Sequence, residues 1–144
     1  MKECFLQRSN TANMKLLLYS TLLVLLNASN CSSPKTFKEI KFGEGGGFTG
    51  AVTEYQIKTN GDVFVNKSLD KTQTKIKTID KEEMKTIQEK VDKISNDSWK
   101  FNHPFNVYHF IETDKGKITW GDPSFPVSSD IKELYDYLNK TIKL

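Results

Sequence analysis

Residues 51–65, AVTEYQIKTNGDVFV, carry the pattern that decides the fold. Residues 51–58 are rich in the β-branched and aromatic side chains that favour a strand. Asn60-Gly61 then gives a strong signal for a two-residue turn, and Val63-Phe64-Val65 is typical of the returning strand. The segment therefore predicts a β-hairpin.

Further strands are predicted on both sides of this hairpin. On its N-terminal side, Phe37, Ile40 and Phe42 lie close to strand alternation, and the glycine-rich run 43–50 is expected to end that strand. On its C-terminal side, residues 73–79 predict a third arm.

A second hairpin is predicted farther along the chain. Residues 107–112 and 117–120 have strand character, and Asp114-Lys115-Gly116 between them favours a turn.

Two amphipathic helices are also predicted. Asp80 and Glu83 have the spacing of a capping box at the start of a helix over residues 81–94, and Ser129-Asp130 caps a C-terminal helix. In both helices the apolar residues recur at helical spacing, which indicates one buried face. The stripes are Met84, Ile87, Val91 and Ile94 in the first helix, and Ile131, Leu134, Tyr135, Leu138 and Ile142 in the second.

This order of elements predicts an α+β fold, with an antiparallel sheet built from hairpins and two helices packed on one face. Residues 37–144 are expected to form one domain, which is long enough for a single core. The expected members of that core are Ile87, Val91, Tyr108 or Phe110, Trp120, Leu134 and Leu138.

Residues 1–30 have the features of a signal segment. Lys15 precedes an uninterrupted apolar run, residues 16–26, which has the length of a signal h-region and is too short for a permanent membrane helix. Met14-Lys15 is a better signal start than Met1, so residues 1–13 are interpreted as an over-long gene start.

Cys31 is the expected end of that segment. The small and polar residues 27–30 before it resemble the cleavage motif of bacterial lipoproteins, in which the new N-terminal cysteine carries acyl chains. Asn30 stands where that motif usually has Gly, Ala or Ser, so release as a soluble secreted protein is the alternative. Residues 31–36 would then be the lipidated cysteine and a tether, and the absence of a following acidic run favours a periplasm-facing anchor in the cell envelope.

Composition argues against several classes of function. Without residues 1–30 the net charge falls from +3 to about +1, and the lysines are interleaved with Asp and Glu, so no nucleic-acid partner is expected. With Cys31 lipidated and Cys4 removed, no thiol remains for a disulfide, a zinc site or a nucleophile. His103 and His109 lack metal-ligand spacing, and His109 is expected on an exposed face. We therefore expect no metal, no cofactor and no enzymatic activity.

The glycine-rich run 43–50 is the most unusual local feature. It matches a dinucleotide fingerprint formally, but a strand follows it where that motif needs a helix. Successive glycines instead permit positive φ angles or a close backbone approach, and Phe48 is the one large side chain. The run is either a contact surface or a structural turn. The candidate partner-binding residues are Gly45, Gly46, Gly47, Phe48, Thr49 and Gly50.

These features together resemble known proteins. The matching elements are the strand 40–42, Gly46-Gly47-Phe48-Thr49-Gly50, the strand 107–111, Trp120-Gly121-Asp122, and a last helix with Leu134 and Leu138. They are similar to small lipoproteins of the Bacteroidetes and, more distantly, to emfourin, a proteinaceous inhibitor of the thermolysin-like metalloprotease protealysin. This chain departs from the emfourin pattern by inserting the Asn60-Gly61 hairpin and a lysine-rich segment up to Ile79.

The resemblance implies a lipid-anchored, non-enzymatic binding protein with a protein partner, and specifically an inhibitor of a thermolysin-like metalloprotease. The alternative is a structural or envelope-maintenance lipoprotein that inhibits nothing. The two hypotheses differ at Phe48, because an exposed Phe48 favours the binding protein and a buried one makes the loop part of the core.

Overall fold

The hairpin over residues 51–65 lies within a seven-stranded sheet in the computed structural model, which describes residues 37–143. The strands are β1 (Glu39–Gly46), β2 (Ala51–Lys58), β3 (Asp62–Lys67), β4 (Thr72–Thr78), β5 (Asn102–His103), β6 (Val107–Thr113) and β7 (Gly116–Trp120). The helices are α1 (Lys81–Lys93) and α2 (Ser129–Lys143), with a 3₁₀ helix at Asn96–Lys100. The sheet order is β4-β3-β2-β1-β6-β7-β5, and only the short β5–β7 pairing is parallel. The predicted α+β fold is confirmed.

The first hairpin is confirmed, but its turn is longer than predicted. Ile57 pairs with Val63, and a three-residue loop over residues 59–61 joins β2 to β3. Gly61 alone of these three has a positive φ, of 84°, and the Asn60 side chain accepts a hydrogen bond from the Asp62 N–H. A three-residue loop with glycine in the left-handed position is a common hairpin connection, and it uses the same residue types as the two-residue turn.

Strand β1 occupies the centre of the sheet and is longer than expected. It pairs with β2 from Glu39 to Gly46 and with β6 from Lys41 to Gly46. The glycine-rich run 43–50 therefore ends this strand, as expected, but its first four residues are themselves part of the strand. Two neighbouring strands supply hydrogen-bond partners for the glycine backbone, and this pairing offsets the low strand propensity of glycine.

One face of the sheet packs against both helices. Side chains alternate across a strand, so the register places Ile40, Phe42, Ile57, Ile111 and Ile118 on this face. Each of these five is completely buried, together with Ile87, Val91, Leu134 and Leu138 of the helices. The prediction that two helices pack on one face is confirmed.

Strand β6 contributes a different residue to the core than expected. Ile111 pairs with Phe42 and Ile118 on the helix-covered face, so Tyr108 and Phe110 project from the opposite face. Phe110 is nonetheless buried, and the Lys117 ammonium lies 4.5 Å from the centre of its ring. The expectation that Tyr108 or Phe110 shares the helix-side core is wrong, and Ile111 takes that position.

Helix α1 begins as the sequence predicts. The Asp80 carboxylate accepts a hydrogen bond from the Glu83 N–H at 2.8 Å, and the Glu83 carboxylate accepts one from the Asp80 N–H at 3.2 Å. The helix ends one residue earlier than predicted, at Lys93, because Ile94 adopts an extended conformation as its C-cap. The capping box is confirmed.

Candidate binding site

The β1–β2 connection is a tight turn over residues 47–50. Gly46 pairs with Ala51 in the last rung of the hairpin, and the Gly50 N–H donates a hydrogen bond to the Gly47 oxygen at 3.2 Å. Gly47 and Gly50 have φ angles of 71° and 62°, a region that side chains disfavour. These glycines therefore bring the chain round in four residues, with Phe48 and Thr49 at the outermost positions.

Phe48 is completely exposed. Its relative accessibility is 107%, which means that the ring is as open to solvent as in an isolated extended chain. Phe48 is therefore not part of the core, and burial of this ring does not hold the loop in place.

Most of the other large exposed apolar side chains of residues 37–143 lie at the end of the sheet that carries Phe48. β1, β3, β5 and β7 end there and β2, β4 and β6 begin there, so the loops 47–50, 68–71, 104–106 and 121–128 are neighbours. We call these four loops, together with Val107 at the start of β6, the loop end. Within residues 37–143, five of the six exposed large apolar side chains belong to it: Phe48, Leu69, Phe105, Val107 and Phe125. Exposed large apolar side chains are therefore concentrated at this end of the sheet within the described residues.

The other candidate residues contribute through their backbones or by bracing the turn. Gly45 and Gly46 lie inside β1, so they form the base of the loop and not its surface. The Thr49 hydroxyl accepts a weak hydrogen bond from the Ala51 N–H at 3.4 Å. Phe48 is thus the one member of the predicted set that offers a large surface to a partner.

A hydrogen-bonded cluster lies below the loop end on the helix-covered face. The Tyr135 hydroxyl of α2 is 3.1 Å from the Gly43 oxygen and 3.1 Å from His109 Nδ1. A carbonyl can only accept, so the single hydroxyl proton is donated to Gly43 and the imidazole donates its Nδ1–H to the hydroxyl oxygen. The Glu44 carboxylate lies 3.9 Å from the same nitrogen. The cluster ties α2 to β1 and β6.

This cluster corrects the expectation for His109. The side chain is only about a third exposed, and its ring lies against Tyr135 and Trp120, with ring centres 5.2 Å and 5.6 Å away. It faces α2 because His109 and Ile111 share one face of β6. Burial also raises the pKa of the Tyr135 hydroxyl above its ordinary value.

A shallow groove of about 430 Å³ runs beside the loop end. Val107, Trp120 and Phe125 contribute its apolar walls, and Lys132 and Asp122 contribute charges at its margin. The Phe125 ring stacks on His103 with 4.1 Å between ring centres, which fixes one side of the groove. The groove therefore shares Val107 and Phe125 with the exposed side chains of the loop end.

Other kinds of site find little support in the described part of the chain. Among residues 37–143, no group of three or more His, Cys, Asp or Glu side chains is arranged to hold a metal ion. No helix in this range is long and apolar enough to cross a membrane. Cys31 lies outside the described residues, so its lipidation stays a prediction.

Comparison with known proteins leaves the resemblances untested. No protein-family model, curated protein or solved structure matches the chain. The similarities to Bacteroidetes lipoproteins and to emfourin therefore stay predictions.

The sequence did not indicate three members of the loop end. Leu69, Phe105 and Phe125 lie 21 or more residues from Phe48 in the chain. Their position near Phe48 depends on the strand register. Phe105, for example, comes close to the loop 47–50 only because Val107 pairs with Gly46. Phe105 and Phe125 each stand beside a proline, Pro104 and Pro126, and this is the local sign of a surface segment that the sequence contains.

Proposed function

We propose that this domain is a non-enzymatic binding module that captures a protein partner through the loop end, with Phe48 as its anchor. The observation that carries the proposal is the complete exposure of Phe48 on a turn set by glycines. A soluble domain gains nothing in stability from an aromatic ring held fully in water. A partner that buries the ring would gain about 1.5–3 kcal/mol from the hydrophobic effect.

The shape and charge of the loop indicate the partner's surface. Residues 45–52 contain no charged side chain, so the surface that receives them needs no compensating charge. A protruding turn fits a concave site, and a single buried aromatic residue often dominates such an interface. A protein with an apolar cleft is therefore the partner that fits best.

The cleft of a thermolysin-like metalloprotease is the specific form of this proposal. It comes from the resemblance to emfourin, and a protruding apolar turn is compatible with it. In this form the module acts by blocking the cleft, and it needs no catalytic group of its own.

We also propose that the module is exported and held in a bacterial cell envelope by a lipid on Cys31, facing the periplasm. The support for this is the apolar run 16–26 and the position of the cysteine directly after it. Two acyl anchors or an equivalent pair of signals suffice for stable membrane attachment.

The test is capture from envelope extract, followed by inhibition assays against thermolysin-like metalloproteases. We compare the wild-type domain with Phe48→Ala and with Ile76→Ala, which truncates an exposed apolar side chain of β4 outside the loop end. Phe48→Ala should reduce partner binding about ten-fold or more, and Ile76→Ala should leave it unchanged.

The outcomes separate the hypotheses. Equal losses in both variants, or none in either, would contradict a Phe48 anchor. Capture of a partner with no inhibition of any protease would retain the binding module and exclude the inhibitor form. If the wild-type domain captures no protein at all, the structural lipoprotein becomes the better interpretation.

A further inference from the structure

We propose that Tyr108 of β6 is a positioning residue for the Phe48 loop: its ring lies across Gly45 and fixes the direction in which the β1–β2 hairpin presents Phe48. The functional value of this arrangement rests on the proposed function, but the arrangement itself can be tested without any partner.

The first observation is the close approach of the Tyr108 ring to Gly45. Gly45 pairs with Tyr108 on one side and with Val52 on the other. A Cβ atom on Gly45 would lie 2.7 Å from the Tyr108 hydroxyl oxygen, 2.8 Å from the neighbouring ring carbon and 3.0 Å from a Val52 methyl group. The ring therefore occupies the space that a side chain at position 45 would fill, and it reaches across β1 to β2.

The second observation is a backbone contact two residues farther along the hairpin. The Gly47 N–H donates a hydrogen bond to the Asn106 oxygen at 2.6 Å. Gly46 approaches the same oxygen so closely that a Cβ atom there would lie 2.1 Å from it. The segment that leads into β6 thus holds the base of the loop at Asn106 and at Tyr108.

The loop itself has few other contacts that could orient it. Phe48 is fully exposed, and Cβ atoms placed on Gly47 and Gly50 would meet nothing within 4 Å. Movement of the hairpin tip away from β6 must therefore break the Gly47 bond and open the packing of Tyr108 on Gly45. A loop held in this way loses less conformational entropy when it binds.

Tyr108 has no comparable role in the main core. It projects from the helix-free face, is half-buried, and is absent from the cluster that packs between the sheet and the helices. Its hydroxyl oxygen and the ring carbon that carries it both approach Gly45, and that ring carbon stays in place when the hydroxyl is removed. Tyr108→Phe should therefore retain the function of the residue.

The direct test is hydrogen exchange of the Gly47 amide, because its hydrogen bond joins the loop to β6. Exchange is expressed relative to the amides of α1, which report global opening. Tyr108→Ala should raise the relative exchange rate of Gly47 about ten-fold or more, whereas Tyr108→Phe should change it less than about three-fold. Phe64→Ala is the matched control, since it removes an aromatic ring from the same sheet face on β3.

A second variant pair tests the contact itself. Gly45→Ala should accelerate Gly47 exchange in the wild-type protein, because the methyl group displaces the Tyr108 ring. In Tyr108→Ala the same substitution should add little, since the ring is gone. Additive effects of the two substitutions would overturn the proposal, as would equal acceleration in Tyr108→Ala and Phe64→Ala.

These results are independent of the proposed function. If Gly47 exchange follows the expected order but Phe48→Ala leaves partner capture unchanged, the positioning role stands and the proposed function fails. If Gly47 exchange is insensitive to Tyr108→Ala while Phe48→Ala abolishes capture, the proposed function stands and the positioning role of Tyr108 fails.

Discussion

Removal of the Tyr135 hydroxyl gives a sharp test of the cluster below the loop end. Tyr135→Phe leaves the ring in place and deletes one group that donates to the Gly43 oxygen and accepts from His109. The net value of a hydrogen bond is about 1 kcal/mol, and water can reach the partly exposed His109 ring, so we expect a loss of about 1–2 kcal/mol. With a urea slope of about 1–3 kcal/mol/M, the midpoint should fall by roughly 0.3–2 M.

The pH dependence of the stability difference between the wild type and Tyr135→Phe is a further check. Burial raises the pKa of Tyr135 in the folded protein, so the folded state retains the phenolic proton at a pH at which the unfolded chain loses it. Stability from this group is therefore complete below the ordinary tyrosine pKa and declines as the pH rises through and above it. The difference between wild type and Tyr135→Phe should accordingly shrink above about pH 10.

The assay is urea unfolding of both proteins at pH 7 and at several alkaline values. Tyr137→Phe is a useful control, because it removes a phenolic hydroxyl from the same helix at a residue whose ring lies beside Lys90 and not in the hydroxyl cluster. A midpoint shift below about 0.2 M at pH 7 would refute the cluster as a stabilising contact. A difference that grows with alkaline pH would refute the inferred direction of proton linkage.

Three further predictions concern stability and anchoring. Ile87→Ala and Leu138→Ala should each lower the free energy of unfolding in urea by about 2–5 kcal/mol, because both side chains are completely buried between the sheet and the helices. Losses below about 0.5 kcal/mol at both sites would mean that the helices do not pack as described. Asp80→Ala should cost about 1 kcal/mol by loss of the capping box, with no loss expected for Asp70→Ala, and equal effects would contradict the cap. Cys31→Ser should move the protein from the membrane to the soluble fraction, whereas an intact mass showing an unmodified Cys31 would exclude the anchor.

Local signals in the sequence predicted local structure well. The residue types at Asn60-Gly61 and at Asp80 and Glu83 act on their own neighbours within three positions, so the hairpin and the helix start could be predicted without the rest of the fold. The exact loop length at residues 59–61 was missed, since the same residue types serve two-residue and three-residue connections.

Register was the property that the sequence could not supply. In β6, residues 108, 110 and 111 are all apolar or aromatic, so alternation alone does not say which of them faces the helices. Pairing of Ile111 with Phe42 and Ile118 decides it, and the same register turns His109 toward Tyr135. One error of register at this strand thus produced both the wrong core member and the wrong expectation for the histidine.

The glycine run shows how one sequence feature serves two structural purposes. Its first half forms strand, where the lack of a side chain at Gly45 lets Tyr108 cross β1. Its second half forms the turn, where positive φ at Gly47 and Gly50 places Phe48 outermost. The residues of the run by themselves predict only the turn. The contact with Tyr108 could not be predicted from them, because Tyr108 lies 63 residues from Gly45 in the chain and becomes its neighbour only when β6 pairs with β1. Tyr108 packs on the first half of the run, and the second half presents Phe48, so the strand register that pairs β6 with β1 relates the positions of the two rings. The Tyr108 and Phe48 variants are therefore the pair of substitutions that best connects this fold to its proposed function.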